Sequence, residues 1–284
     1  MSLVDELITH LTCPGCSSKQ WDLRAAGVDD LPSLEGTLCC GNCGQAFAAR
    51  GGVLDMVPEI VEDRLTAVRR RIESPPVARL YEETFRHVFT PLSSTLRTAE
   101  RSEWLREHAP TDGVRAIVDF GCGRGSDLEL MREASPSELA LGIDLSTVLL
   151  AEAARSAREG GHKNMAFIRA NLEALPFDGA LFGWGSCYGV LHRLSNPRAA
   201  LAKAAALLLP GASFTCLTTM KLPSGVVHVG QQMLGAVARV HVFSRDDLKA
   251  MFEAASLELL DMKTFGPVAL LTGRRVDRGG EQPE

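Results

Sequence analysis

Two groups of residues in this chain have types and spacings suited to chemistry. The first is a pair of Cys-x-x-Cys turns, Cys13-Pro-Gly-Cys16 and Cys40-Gly-Asn-Cys43, separated by 23 residues. Each turn can aim two thiolates at one ion, and two turns complete the tetrahedral four-thiolate shell of a structural zinc site. Cys39 is expected to point away from that shell, while Cys122, Cys187 and Cys216 lie in distant apolar contexts. A closed four-thiolate site has no open coordination position. Its expected role is to stabilise a small ribbon with little core of its own, leaving ligand binding elsewhere in the chain unaffected. The second group is Asp119-Phe-Gly121-Cys122-Gly123-Arg-Gly125. Glycines permit a sharp turn and let a ligand approach bare backbone. The spacing is not the G-x-G-x-x-G of a nicotinamide-binding turn, and an acid two residues before the first glycine would repel a pyrophosphate. It suits a ligand that carries an ammonium group.

Further on, Asp144 in "GIDLS" can accept hydrogen bonds from both hydroxyls of a ribose, and Asn171 in "ANLEALPF" can meet an adenine edge. Ammonium, ribose and adenine together describe S-adenosylmethionine (SAM). The expected cofactor contacts are Asp119, Gly121, Cys122, Gly123, Gly125, Asp144, Leu145, Asn171, Leu172 and Cys187. Tyr188 and His192, near the end of "GWGSCYGVLHRL", are the candidate catalytic residues. His192 can act as a base or simply position an acceptor.

These residues need elements to hold them. "GTLCCGNCGQAF" reads as strand, knuckle and strand, and "GVLDMVPE" ends a ribbon over residues 1–58. Residues 59–111 are charged and apolar at helical intervals, broken by Ser74-Pro75-Pro76 and Thr90-Pro91, and read as a helical bridge. Arg69 to Arg71 read as a solvated helix face, with phosphate contact as the alternative. Tyr81, His87 and Trp104 are expected to pack helices, with capping of an acceptor as the alternative. From residue 112 strand and helix alternate: 114–120, 139–145, 165–170, 180–190 and 212–220 as strands, with helices between them. Among these, the stretch from Pro197 reads as one helix with Gly211 just past its end, and 257–274 as a hairpin across Gly266-Pro267. The fold class is therefore α/β, a doubly wound, Rossmann-like seven-stranded sheet with a C-terminal antiparallel hairpin, plus an N-terminal zinc ribbon. Residues 221–243 read as a lid over the acceptor, with His228, Met233 and His241 as lining, and 276–284 as a disordered tail.

The chain has 284 residues and a net charge of −5, which argues against nonspecific nucleic-acid binding. No apolar run approaches a membrane span, and the N-terminus lacks a secretory pattern, so a cytoplasmic location is expected. Oligomeric state is not legible.

Residues 112–275 resemble the class I SAM-dependent methyltransferases, especially the type 11 group, through "VDFGCGRG", "LGIDLS", "ANLEALPF", "GVLHRLSNP", "LLLPGASF" and "VFSRDDLKAMFEAA". Two departures stand out: Asn171 stands where aspartate is usual, and Gly183 replaces the aspartate of a Phe-Asp pair. With a ribbon and the bridge segment "SPPVARLYEETF", the chain is also similar to the large-subunit rRNA guanine-N1 methyltransferases and to related bacterial and plastid methyltransferases. The resemblance implies methyl transfer. A small-molecule acceptor is expected first, rRNA or tRNA second, and a SAM-binding protein with another role, such as a cyclase, third.

Overall fold

The structure, a computed structural model, describes residues 3–25, 34–58, 95–222 and 240–277. Residues 59–94 of the bridge and most of the expected lid, with Arg69 to Arg71, Tyr81, His87, His228 and Met233, lie outside these residues, as does the tail from residue 278. The strands are β1 (Trp21–Ala25), β2 (Gly36–Cys40), β3 (Ala46–Arg50), β4 (Val53–Asp55), β5 (Ala116–Phe120), β6 (Leu139–Asp144), β7 (Met165–Arg169), β8 (Phe182–Tyr188), β9 (Leu208–Thr219), β10 (Leu257–Phe265) and β11 (Val268–Arg275). The helices are α1 (Leu3–His10), α2 (Thr95–Glu107), α3 (Ser126–Ala134), α4 (Thr147–Glu159), α5 (Pro197–Ala206) and α6 (Arg245–Ala254).

All eleven strands form one sheet in the order β1-β2-β3-β4-β7-β6-β5-β8-β9-β11-β10. The run from β4 to β9 in that order is parallel, and β11 and β10 return antiparallel as a hairpin. The central strand β5, Ala-Ile-Val-Asp-Phe, is buried at every residue, as a strand covered on both faces must be. One face carries α5 and α6, with Leu201, Leu248 and Met251 in its core; the other carries α2, α3 and α4, with Leu105, Leu128 and Leu150.

The expected seven-stranded sheet with a separate ribbon is thus corrected. The ribbon strands continue the sheet, because β4 pairs in parallel with the edge strand β7, Asp55 opposite Arg169. Leu54 and Met56 bury their side chains in the same core as Ile168. This gives the short ribbon a core that it cannot build alone and covers an exposed strand edge. Two further corrections are local. The helix expected to run up to Gly211 ends at Ala206, and Leu208 already pairs with Phe182 as the start of β9. The run Leu207-Leu208-Leu209 suits either state, and pairing against β8 decides it. The ribbon also opens with α1, which pattern reading missed. Elsewhere local chemistry agrees with the fold: Ser146 caps α4, Asn196 caps α5 ahead of Pro197, and Ser244 and Asp247 form a capping box on α6.

Candidate functional site

The glycine turn lies between β5 and α3, at the carboxyl ends of the parallel strands. Gly121, Gly123 and Gly125 all have positive φ. A β-carbon at Gly121 would come within 2.3 Å of Val190 Cγ2, so both conformation and space exclude a side chain there. Gly121 N–H and Cys122 N–H donate to the Ile143 carbonyl at 2.7 and 3.1 Å, pinning the turn to the end of β6. From β6, Asp144 reaches back across this gap. Its Oδ2 accepts from Gly123 N–H at 3.0 Å and its Oδ1 from Ser146 N–H at 2.8 Å. Each carboxylate oxygen retains a further lone pair for an incoming hydroxyl. At the end of β7, Asn171 Oδ1 accepts from Glu173 N–H at 3.0 Å and caps a short 3-10 helix, Leu172–Ala174. Its amide NH₂ group stays chemically suited to meet an acceptor on a base.

Asp119 is 1% exposed. Ser186 Oγ, on β8, donates to its Oδ1 at 2.6 Å. Burial, aided by repulsion from Asp127 and Asp144, pushes the Asp119 carboxyl up to about 8; the Ser186 bond and Arg101 oppose this. Arg101 of α2 forms an ion pair with Asp127 of α3 at 2.9 Å. Burial also raises Asp127, against Arg101. The structure therefore gathers three acids below the turn with one arginine, an arrangement that favours a cationic ligand. Ser186, Arg101 and Asp127 were not singled out from the sequence. Only the proximity of Asp127 to the glycine turn hinted at them.

The remaining expected residues are placed as follows. Cys122 and Cys187 are buried, and burial raises the Cys122 thiol well above its usual range, so it packs as an apolar group. Leu172 is buried in the core that also holds Cys187. Leu145 offers its carbonyl to Arg169 at 3.0 Å. Tyr188 is 8% exposed, and its hydroxyl lies beside that of Thr215. Burial drives its acidity far from the neutral range, so it suits a donor or a wall better than a base. His192 is half-buried with Nδ1 3.5 Å from Thr218 Oγ1, and its carbonyl accepts from His241 N–H at 2.8 Å. His192, Thr218 and His241 thus meet at the carboxyl ends of β8 and β9. Trp104 is buried and packs its ring 4.1 Å from that of His108. Gly183 has Val114 in the space a side chain would take, with Cγ1 2.6 Å from the missing β-carbon.

The four ribbon cysteines also converge. Sγ atoms of Cys13, Cys16, Cys40 and Cys43 lie within 4.8 Å of one another, with Cys13–Cys43 and Cys16–Cys40 at 3.6 Å. A tetrahedral shell with Zn–S near 2.3 Å needs sulfurs about 3.8 Å apart, so the donor set fits zinc. The Asn42 amide, donating to Cys16 Sγ at 3.5 Å, is the first cause holding that thiol down to about 6, while burial raises Cys13 to about 12. Cys39 is outside the cluster.

Residues 117–211 match the family described as "Methyltransferase domain". The chain is 21% identical over 217 residues to an uncharacterised chloroplastic methyltransferase of Arabidopsis thaliana, covering 74% of this chain and 61% of the relative. It is 33% identical over 112 residues to the ubiquinone biosynthesis O-methyltransferase of Methylococcus capsulatus, covering 39% and 46%. It is 30% identical over 97 residues to the tRNA (guanine-N(7)-)-methyltransferase of Porphyromonas gingivalis, covering 33% and 40%. This chain spans 25% to 61% of the length of the curated relatives it matches. In three dimensions it is similar to the [4+2]-cyclase SpnF, with a TM-score of 0.54 at 20% identity over 65% of this chain and 83% of that one. That likeness concerns the fold alone.

Proposed function

We propose that this protein is a SAM-dependent methyltransferase acting on a small-molecule acceptor and carrying a structural zinc in its ribbon. One observation carries the reading. Asp144 clamps the left-handed glycine turn across the β5–β6 gap while keeping lone pairs free for a ribose. The match of residues 117–211 to a methyltransferase domain supports it.

Bound SAM supplies an electrophilic methyl on a positively charged sulfur. The chain's own residues do the rest. Asp144 holds the ribose hydroxyls. The Asp119–Asp127 acid cluster favours the ligand's positive charge. Asn171 and the backbone at Leu172 flank the adenine, while Gly121 to Gly125 allow close approach without a side chain. Acceptor orientation and exclusion of water fall to His192, Tyr188, Thr218 and His241. Where the acceptor must lose a proton, His192 is the group at the correct edge to take it.

A net charge of −5 and a relative that acts in ubiquinone biosynthesis favour a small acceptor. The tRNA methyltransferase relative keeps RNA as the second reading. Incubation of the protein with methyl-labelled SAM and fractionated cell extract tests the choice. Label is expected in the small-molecule fraction. Label in ribosomal or transfer RNA instead, lost when Arg69 to Arg71 are replaced, would promote the second reading. SAM binding without label in any fraction would favour a role other than transfer.

A further inference from the structure

Arg169 is a charged residue that is 5% exposed, at the last position of an otherwise apolar strand. Its guanidinium links two different parts of the molecule. Nη1 donates to Asp55 Oδ2 of the ribbon at 2.9 Å, and Nε donates to the Leu145 carbonyl at 3.0 Å. In the sheet, Arg169 stands between Asp55 on one side and Asp144 on the other. Leu145 lies within the turn closed by the bond from Ser146 N–H to Asp144 Oδ1. Asp55 is itself oriented, since its Oδ1 accepts from Val57 N–H at 3.0 Å. The Met56 N–H closes the strand pair by donating to the Arg169 carbonyl at 2.9 Å.

The ribbon also grips the next site segment. Thr12 N–H donates to the Pro176 carbonyl and Asp178 N–H to the His10 carbonyl, both at 2.9 Å. The stretch so held is the continuation of Asn171-Leu172. Both turns that would meet the nucleoside half of the ligand are therefore braced from the ribbon side. The acid cluster that would meet its amino-acid half is braced from α2, α3 and β8, and the glycine turn is pinned to β6.

We propose that Asp55 and Arg169 are positioning residues for the cofactor's nucleoside, through which the metal-bearing ribbon sets the affinity of the neighbouring site. Neither residue touches the ligand. A buried guanidinium that loses its carboxylate re-seats among its remaining acceptors, and the Leu145 carbonyl it holds shifts with it. A displacement of that carbonyl moves Asp144, and hydrogen bonds to a carboxylate tolerate little misplacement. The inference rests on the reading of Asp144 as the ribose-binding acid.

The test uses full-length, metal-loaded protein and two probes, S-adenosylhomocysteine and 5′-methylthioadenosine, titrated by calorimetry well below the melting temperature. The second probe keeps the nucleoside and lacks the amino-acid end. Asp55→Asn preserves shape and removes the charge; Arg169→Lys preserves charge and cannot span both partners. Each is expected to weaken both probes equally, about tenfold, with zinc content unchanged. The double variant should lose no more than the weaker single variant, because both break one linkage. Asp119→Asn should weaken only S-adenosylhomocysteine. If Asp55→Asn and Arg169→Lys retain zinc and bind both probes as the wild type does, the brace is structural only and the proposal is overturned. If they weaken only S-adenosylhomocysteine, the coupling runs to the wrong half of the ligand and the proposal also fails. Wild-type protein that binds neither probe would overturn the cofactor reading itself, an outcome recognisable before any variant is made.

Discussion

At the scale of single residues, Asp119 is held in an uncomfortable state. Its ordinary pKa of 3.8 rises to about 8 when the chain folds, first through burial and then through Asp127 and Asp144. The folded protein thus binds a proton between these values that the unfolded chain has released. This group's contribution to stability therefore falls as pH rises from about 4 to about 8, and is constant above. Asp119→Asn removes that decline. The variant without ligand should melt several degrees higher than the wild type at pH 8, while the difference shrinks steadily as pH falls toward 4. Binding a cation reverses the preference, because the ionised carboxylate is the form that attracts it. Affinity of the wild type for S-adenosylhomocysteine should rise with pH and level off above about 8. In Asp119→Asn it should be about tenfold weaker at pH 8 and flat with pH, about 1.4 kcal/mol. The charged groups facing Asp119 are Asp127, Asp144 and Arg101, with the Ser186 hydroxyl bonded to it. Asp144 differs, since its oxygens already accept two backbone N–H groups. Asp144→Ala should weaken binding by about 1.5–3 kcal/mol through loss of charge-assisted hydrogen bonds. A titration series across pH 6 to 9 measures both variants.

At the scale of elements, the ribbon is the point on which sequence and structure part. The cysteine pairs, the knuckle and the strands flanking it were legible because thiolate spacing and glycine turns are local signals. The alternation of strand and helix from residue 112 was legible for the same reason. The docking of β4 on β7 was not legible. Three residues, Val53 to Asp55, join strands more than a hundred positions away, and nothing in their periodicity names the partner. Arg169 held a clue, as a lone charge ending "MAFIR", but its meaning depends on Asp55 arriving beside it. The end of α5 was misread because three consecutive leucines suit helix and strand alike. The structure changes the expected result of removing the metal. A free-standing ribbon could unfold without consequence for the cofactor site; a ribbon paired to β7 cannot. Cys40→Ser should release zinc, expose the β7 edge and weaken cofactor binding, along with a fall in melting temperature. Zinc content and calorimetry on the same sample check this, and intact affinity after complete zinc loss would contradict it.

At the scale of the whole molecule, one sheet carries two candidate sites side by side. Its β1–β4 end bears the four-cysteine cluster, its centre the glycine turn and acids, and its β9–β11 end closes as a hairpin beside His192 and His241. No helix among the described residues is long and apolar enough to cross a membrane. The net charge of −5 disfavours a long phosphate backbone as partner, so binding to ribosomal RNA should be undetectable at physiological salt in a filter-binding or mobility-shift assay. Everything proposed for acceptor and ribbon depends on one event, the seating of an adenosyl ligand over β5, β6 and β7. Isothermal titration of the purified full chain with S-adenosylhomocysteine tests that event most directly. One site per chain with a micromolar dissociation constant, about −8 kcal/mol, is expected, and Asp144→Ala should weaken it at least tenfold. A wild-type protein that is folded and zinc-loaded, yet gives no heat and no rise in melting temperature with either S-adenosylhomocysteine or SAM, would contradict it.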